Sequence, residues 1–354
     1  MAIRITRRGF LGGLLAAPWL SSPFAGAAEA QQAKKQPAAA ILDLHIHLFG
    51  TGDSNSGCRL SRKITEGVLF KSQIGKYRRK AKTLDEGYVA VLAETLEASG
   101  LDKGVILAQD AVYDRNGLPD WDKTHFYVPN EYLFAVVRRY PQRMIPCISI
   151  NPDRADAVPE LDRWAAQGAR VLKIHPPTQG VDIADRKHAR FFRRCAELKV
   201  VVMVHTGHEH SAPVVNIELA SPKRLELALG EGCTVVACHC GSGWPTDRPD
   251  MLPDFLAMLR QYKNLWGDTA VLGSPGHVRD LLRLLKDDVA KDRLLHGSDY
   301  PFPAVPLGFV TRLGPVEAAR LQAVKNPLKQ DLALKEALGI GRTSAARAYR
   351  LVHG

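Results

Sequence analysis

Several short apolar segments of the sequence carry side chains that can bind a metal ion or transfer a proton. The first segment is Asp43-Leu44-His45-Ile46-His47. In an extended chain, residues two apart point to the same side, so His45 and His47 face one point and Asp43 lies deeper on the same face. Neutral imidazoles are common metal ligands. This segment therefore predicts one side of a metal site.

Later apolar segments end in residues of the same kind. They contain Lys173-Ile174-His175-Pro176, His205-Thr206-Gly207, His239-Cys240-Gly241 and Gly297-Ser298-Asp299-Tyr300. A single His or Asp at such a position is more often a satisfied structural residue. A whole set is harder to explain in that way, because unpaired imidazoles and carboxylates are costly to bury together unless a metal or hydrogen bonds satisfy them. We therefore predict one shared polar site.

The segments that carry these residues have the spacing of β-strands alternating with helices. Strands are predicted at 41–46, 104–108, 144–150, 170–175, 200–205, 234–239, 264–267 and 293–298. Their continuous Val, Ile and Leu content is typical of strands buried on both faces of a parallel sheet. Between them, amphipathic helices are predicted at 156–168, 185–198, 221–230, 252–262 and 277–285, and a capping box at Thr83–Glu86 starts another.

Eight strands alternating with helices predict an α/β protein with a (β/α)₈ TIM-barrel fold. In such a barrel the carboxyl ends of all strands meet at one rim, where the active site lies. The alternative is an open, doubly wound sheet. No glycine-rich phosphate-binding motif opens any predicted helix, which counts against the nucleotide-binding versions of that sheet.

Together these motifs resemble the amidohydrolase superfamily, in particular its branch that includes aminocarboxymuconate-semialdehyde decarboxylase and aromatic acid decarboxylases. The resemblance runs from about residue 40 to the last predicted helix. It implies that His45, His47, His205 and Asp299 hold one divalent ion, Zn²⁺ or alternatively Mn²⁺. It also implies that His239 is the general acid/base, while Asp299 can accept a proton from water.

The role of Lys173 stays open. In parts of the superfamily a lysine on the fourth strand is carboxylated and bridges two metal ions, which would raise the expected number of ions from one to two. In the branch that this chain resembles, the bridge is usually not used. Lys173 would then bind a substrate carboxylate or pair with Asp43 or Asp299, and His175 on the same face would contact the substrate.

Two further motifs look like metal sites but are predicted to be structural. His208-Glu209-His210 follows His205 in a predicted loop and is expected to be exposed; contact with substrate or adventitious metal binding is the alternative. Cys238 and Cys240 flank His239 on a strand, so they are expected to point away from it and to pack outside the barrel wall. A disulfide between them is geometrically poor.

The N-terminal sequence predicts export. Thr6-Arg7-Arg8-Gly9-Phe10-Leu11 is a twin-arginine motif, and it precedes a short apolar run and a small-residue cleavage site. We expect a signal peptide at 1–27, a flexible segment at 28–39, and one barrel domain at 40–354 with a basic insert at 50–83. Export implies a periplasmic location and the twin-arginine translocase as a transient partner.

The net charge of +11 is concentrated in one segment. Residues 59–82 carry nine basic side chains against one acidic side chain, Glu66. This segment follows the first strand, so it should lie beside the rim and attract an anionic small-molecule substrate, or form a solvated face. It shows no nucleic-acid-binding motif, so no nucleic-acid partner is expected. A homodimer is the expected assembly.

Two reactions fit this set of residues. The favoured one is hydrolysis of a small, anionic amide, ester or lactone by metal-activated water. The alternative is metal-dependent, non-oxidative decarboxylation of a carboxylic acid. A third possibility is an exported, non-catalytic protein that binds a metal or an anion. The loss of a ligand residue would support that third reading, but every one is present.

Overall fold

Eight parallel strands form the centre of the protein in a computed structural model that describes residues 39–354. In chain order they are β1 (Leu42–His47), β2 (Lys103–Leu107), β3 (Met144–Ser149), β4 (Val171–Ile174), β5 (Val201–His205), β6 (Val235–Cys238), β7 (Leu265–Asp268) and β8 (Leu294–Leu295). Each strand pairs with the next one in the sequence. The backbone N–H of Leu44 donates to the carbonyl of His296 at 2.9 Å, which joins β1 to the segment after β8. The predicted TIM barrel is confirmed.

Each predicted strand overlaps one strand of the barrel, and β8 differs most in length. Residues 293–298 were expected to be extended, but only Leu294 and Leu295 pair with β7. Beyond Leu295 the chain bends, and its backbone bonds to β1 instead: His47 N–H donates to the carbonyl of Tyr300 and Asp299 N–H to that of His45, both at 2.9 Å. The same bend positions Asp299 at the rim.

Helices surround the barrel. They are α1 (Arg62–Thr65), α2 (Val68–Arg78), α3 (Leu84–Glu97), α4 (Asn130–Val137), α5 (Ala157–Ala166), α6 (Pro176–Gln179), α7 (Ala189–Glu197), α8 (Glu226–Gly230), α9 (Leu252–Gln261), α10 (Val278–Leu284), α11 (Asp288–Arg293), α12 (Val310–Leu313), α13 (Pro315–Gln322), α14 (Pro327–Ala337) and α15 (Gly341–His353). The predicted cap of α3 is present, because the Thr83 hydroxyl accepts a hydrogen bond from Glu86 N–H at 3.3 Å. Within the described residues, no helix combines the length and the hydrophobicity that a bilayer span needs.

Apolar side chains fill the barrel beneath the rim. The interior cluster is built from residues of most strands, including Leu42, Val105, Val171, Met203 and Val236, all almost fully buried. Residues of α15 pack against this cluster. A second, larger cluster lies between the strands and the helices. Polar side chains that point inward are therefore confined to the carboxyl ends of the strands.

The basic insert lies beside the rim, as expected. Its short strand Arg59–Leu60 pairs antiparallel with Phe126–Tyr127, and α1 and α2 follow it. The predicted signal peptide at 1–27 and the predicted flexible segment, except for residue 39, lie outside the described residues.

Candidate active site

A cavity of about 620 Å³ opens at the carboxyl ends of the strands. Most of the sequence-predicted site residues line it: His47, His175, His205, His239 and Asp299. His45 and Lys173 lie next to them and are buried almost completely. The structure thus brings together side chains that are up to 254 residues apart in the sequence, as the barrel topology predicts.

The Asp299 carboxylate is the meeting point of two imidazoles. Its Oδ1 atom lies 3.2 Å from His45 Nε2 and 3.1 Å from His47 Nε2. Burial alone would raise the pKa of Asp299, but the neighbouring His45 and His47 rings hold it well below its usual range. Asp299 is therefore ionised at neutral pH. Both rings point one nitrogen at the same oxygen, which is the arrangement that ligands of one cation would adopt.

Asp268, at the end of β7, contacts both His45 and the backbone of His239, and the sequence analysis did not identify it. One of its oxygens lies 2.8 Å from His45 Nδ1, and the other accepts the backbone N–H of His239 at 2.8 Å. The His45 ring holds the pKa of this buried carboxyl below its usual value despite the opposing effect of burial. The ionised Asp268 accepts the Nδ1 proton, so Nε2 of neutral His45 presents a lone pair. Carboxylates that orient a histidine in this way are typical of metal sites.

His239 and Asp299 sit at bends with left-handed backbone conformations. Their φ angles are 63° and 65°, respectively. Non-glycine residues rarely adopt such angles, and they do so mostly where surrounding contacts enforce them, often in active sites. The His239 ring is held by a 3.0 Å hydrogen bond from Nδ1 to the carbonyl of Ala270. Its Nε2 is thereby left for substrate, proton or metal.

The expectation that Asp43 shares the face of His45 and His47 is wrong. The pairing of β1 with β2 shifts register between Asp43 and Ile46, which is a β-bulge and breaks the two-residue alternation. Asp43 consequently faces the helix layer, where one of its oxygens lies 3.9 Å from His296 Nε2. Its other oxygen accepts the backbone N–H groups of His45 and Ser298, each at 3.0 Å. Asp43 supports the site from behind.

His175, His205 and Glu209 form a second group beside the first. The two rings stack with their centroids 3.9 Å apart, and Glu209 Oε2 lies 3.0 Å from His175 Nε2 and 3.8 Å from His205 Nδ1. The pKa of Glu209 is lowered to about 2, because the His175 contact and hydrogen bonds from Ser211 outweigh burial. The expectation that the His208-Glu209-His210 loop is exposed is therefore wrong for Glu209. The loop after β5 folds back into the cavity.

The predicted ligands fall partly into each group. Ligand atoms of His45, His239 and Asp299 all lie within 4.8 Å of one another, as do those of His175, His205 and Glu209. His205 is thus grouped with His175 rather than with His45, although its ring centroid is only 4.7 Å from that of His239. The buried His205 Nε2 has no hydrogen-bond partner within residues 39–354. An unpartnered buried nitrogen beside a carboxylate and further imidazoles fits a divalent ion that prefers mixed nitrogen and oxygen ligands.

Lys173 and Cys238 lie inside the barrel below these groups. Lys173 Nζ is 3.3 Å from His45 Nε2, so the contact that the structure gives it is His45 rather than Asp43 or Asp299. Cys238 pairs with His205 across β5 and β6, and it belongs to the apolar interior cluster. The expectation that Cys238 packs outside the barrel wall is wrong, because β6 ends at Cys238 and the bend at His239 breaks the alternation. Cys240 does pack outside, and all six cysteines are free thiols.

Comparisons with known proteins agree with this architecture. Residues 43–351 match the profile of a family described as amidohydrolase. A TIM-barrel protein of uncharacterised function from Bordetella bronchiseptica has 18% identity and a TM-score of 0.57, with 89% of this chain and 100% of that chain covered. The 5-carboxyvanillate decarboxylase of Sphingomonas paucimobilis has 13% identity, 88% and 99% coverage, and a TM-score of 0.51. A 2,6-dihydroxybenzoate decarboxylase has 14% identity, 89% and 99% coverage, and a TM-score of 0.50. A search of curated proteins gave no match.

Proposed function

This chain belongs to the amidohydrolase family, and we propose on that basis that it is a metal-dependent hydrolase of a small, anionic amide, ester or lactone. The observation that carries the proposal is the ionised Asp299 carboxylate, which contacts two imidazoles at 3.1 and 3.2 Å on the floor of the cavity. His239, which can transfer a proton, lies beside it. Hydrolysis needs a group that takes a proton from water and a group that gives one to the leaving atom.

His45, His47 and Asp299 would hold the metal ion, with His205 as the fourth ligand. Zn²⁺ is the proposed ion and Mn²⁺ the alternative, because imidazole and carboxylate ligands suit both. When bound, such an ion polarises a carbonyl oxygen and lowers the pKa of a coordinated water.

The residues of the chain perform the proton transfers. Asp299 is ionised and can accept a proton from water. The Nδ1 atom of His239 donates to Ala270, so a proton acquired on Nε2 can pass to the leaving nitrogen or oxygen of the substrate. Asp268 keeps His45 in the tautomer whose Nε2 carries a lone pair, and Lys173 Nζ lies 3.3 Å from that nitrogen. These fixed orientations remove much of the reorganisation that the reaction would need in water.

An anionic substrate fits the upper part of the cavity. Of the nine basic residues in segment 59–82, Lys63 lines the cavity. Arg59 lies over the Trp121 ring at 4.2 Å, and Lys80 bonds Glu94 at 2.6 Å, so these two charges are engaged elsewhere. Lys63 is therefore the residue of the basic insert that we assign to the substrate anion.

Decarboxylation is the second candidate, and the apolar walls of the cavity favour it. Phe49, Phe70, Phe126 and Phe302 are among the lining residues. A carboxylate placed among such rings loses hydration and is destabilised; neutral CO₂ then leaves, and the electron pair stays on the carbon until a proton neutralises it. Two solved structures with this fold are described as decarboxylases of aromatic acids. In this reaction His239 would protonate the carbon that loses CO₂.

A single assay separates the two reactions. The mature chain, loaded with Zn²⁺ or Mn²⁺, is incubated in ¹⁸O-labelled water with a panel of anionic amides, esters, lactones and hydroxybenzoates. Hydrolysis places ¹⁸O in the acid product, whereas decarboxylation releases CO₂ and puts a solvent proton on carbon. We expect ¹⁸O incorporation that His239→Asn abolishes. CO₂ release without ¹⁸O would replace hydrolysis by decarboxylation, and a metal-binding but inert protein would support the non-catalytic reading.

We also propose that the protein is exported to the periplasm by the twin-arginine route. The motif at Arg7 and Arg8 supports this proposal. Conversion of both arginines to lysine should retain the full-length chain in the cytoplasm, as fractionation would detect. Normal export of that variant would contradict the route.

A further inference from the structure

A histidine outside the predicted set faces the same cavity. His277 lies in the short turn Pro275–His277 after β7, and its side chain is largely buried while lining the cavity. The turn packs tightly against the neighbouring loop, because a Cβ atom at Gly276 would lie 2.5 Å from the Trp244 ring. His277 is therefore held in a fixed position on the wall.

A hydrogen-bond chain behind His277 determines its tautomer. The Ser242 hydroxyl donates to Asp280 at 3.0 Å, and His277 Nδ1 lies 2.8 Å from the same hydroxyl oxygen. Asp280 also accepts from Arg279 and Arg283, at 2.9 and 3.0 Å. These contacts hold the pKa of Asp280 below its usual value, although burial opposes them. Asp280 is thus ionised and can only accept.

The direction of these hydrogen bonds follows from counting protons. Ser242 has one hydroxyl proton, and it is used in the hydrogen bond to Asp280. The Ser242 oxygen can therefore act only as an acceptor toward His277, so Nδ1 of His277 must carry the ring proton. Burial lowers the pKa of His277 to about 4, which keeps the ring neutral. The other nitrogen, Nε2, then holds a lone pair and has no partner in the described part of the chain.

We propose that His277 is a substrate-binding residue whose Nε2 accepts a hydrogen bond from a hydroxyl or N–H group of the substrate. The proposal rests on the proposed function and narrows its substrate class. The substrate carries an anionic group and, in addition, a hydrogen-bond donor that points toward the turn after β7. His239 and His277 are then oriented in the same way, because Nδ1 of each ring donates a hydrogen bond to an acceptor and Nε2 stays free of one. They differ in place, because His239 has a ligand atom within 4.8 Å of one on Asp299, whereas His277 follows Gly276 in the turn that packs against Trp244.

The tautomer can be tested without a substrate. In protein labelled with ¹⁵N-histidine, the ring signals of His277 are assigned by their absence in His277→Phe. We expect a proton on Nδ1 and an unprotonated Nε2 at pH 7. Ser242→Ala should convert this signal into a mixture of tautomers. A proton on Nε2 in the wild type would make the ring a donor and would overturn the proposal.

The second test compares binding of 3,5-dihydroxybenzoate and benzoate to the metal-loaded protein by calorimetry. Both probes carry a carboxylate, but only the first has free hydroxyl donors. We expect the wild type to prefer the hydroxylated acid by about tenfold, as one buried hydrogen bond allows. His277→Phe should lose that preference, and His277→Gln should recover part of it through its side-chain carbonyl.

His210→Phe is the matched control. His210 also lines the cavity, but its Nε2 is engaged by Asp247 at 2.8 Å, so this variant should keep the preference. Equal preference in the wild type and in His277→Phe would overturn the proposal, and so would a wild type without any preference. A protein that shows the preference but converts no compound of the hydrolysis and decarboxylation panel would contradict the proposed function and leave this binding role intact.

Discussion

The two polar groups of the cavity are built in opposite ways. The inner group consists of His45, His47, His239 and Asp299. Each of its three imidazoles has one ring nitrogen bonded to a carboxylate or a carbonyl. All of them lie on strand ends or on the residue that follows a strand. In the outer group, His175 and His205 stack on each other, and each keeps one buried nitrogen without a partner. The third member, Glu209, comes from a loop.

This difference suggests different roles. Metal binding and proton transfer need side chains held in one orientation. The side chains of the inner group are held in this way by their hydrogen bonds. Unpartnered buried nitrogens are costly unless a ligand satisfies them, and the outer group keeps two. We therefore assign metal binding and proton transfer mainly to the inner group. The outer group offers free hydrogen-bonding capacity to substrate, and His205 connects the two.

The largest expected effect is that of Asp299→Asn. This change removes the negative charge that His45 and His47 share, so both metal content and catalysis should collapse. We expect the rate on any substrate of the panel to fall about 10³-fold, and bound metal, measured by mass spectrometry, to fall to background. A variant that retains its metal and more than a tenth of the activity would remove Asp299 from the centre of the inner group.

Asp268→Asn should have the next largest effect. It leaves an acceptor near His45 Nδ1 but removes the charge that fixes the ring, and partners of this kind affect metal affinity about 10- to 100-fold. Competition with a chelator measures that affinity. Asp287→Asn, at the N-cap of α11, is the matched control and should bind the metal as the wild type does. Unchanged affinity in Asp268→Asn would mean that the inner group does not need its supporting carboxylate.

Asp43→Asn tests the support behind the inner group through pH. Burial raises the pKa of Asp43 from 3.8 to about 7, so the folded state holds a proton that the unfolded state releases between those values. The contribution of this carboxyl to wild-type stability should therefore be lost as the pH rises from about 4 to 7, and the asparagine variant should not share that loss. Relative to the wild type, we expect the variant to gain about 3 kcal/mol between pH 5 and pH 8.

Urea unfolding of the metal-free proteins at the two pH values measures this gain. Asp331, whose pKa is raised by burial to about 6, titrates in both proteins, and in the wild type its charge adds to the raised pKa of Asp43. Unfolding free energies that change with pH by the same amount in both proteins would show that Asp43 is ionised in the folded state.

The sequence predicted the barrel and the residues at its rim because both depend on local, repeating features. Each strand is a short apolar run, and parallel strands must end at the same rim, so His47, His205 and Asp299 could be brought together without coordinates. The limit was reached where the backbone departs from regular alternation. The β-bulge in β1 turned Asp43 outward, and the bend at His239 left Cys238 inside.

Residues whose role depends on tertiary contacts were also missed. Asp268 ends a strand that has no histidine, so no motif marked it as a site residue. Its position at the carboxyl end of a predicted strand was the one signal that could have identified it. Glu209 was assigned to an exposed loop because nothing local shows that a loop folds back over a cavity. The orientation of His277 depends on hydrogen bonds that involve Ser242 and Asp280. Asp280 is close in the sequence, but Ser242 belongs to the loop after β6, so the contact could not be predicted from the sequence.

Glu209→Gln should have the smallest effect and bears most directly on the contrast between the two groups. The amide keeps a hydrogen bond to His175 but loses the charge, so substrate binding should weaken by about fivefold in KM while kcat stays within about twofold. Glu231→Gln, whose carboxylate pairs with Arg193 at 3.0 Å, is the matched control and should change neither parameter. Metal content decides the interpretation. If Glu209→Gln loses metal in step with activity, the outer group also holds an ion and the division of roles is wrong. If metal stays constant while KM rises, the unpartnered nitrogen of His175 belongs to substrate recognition.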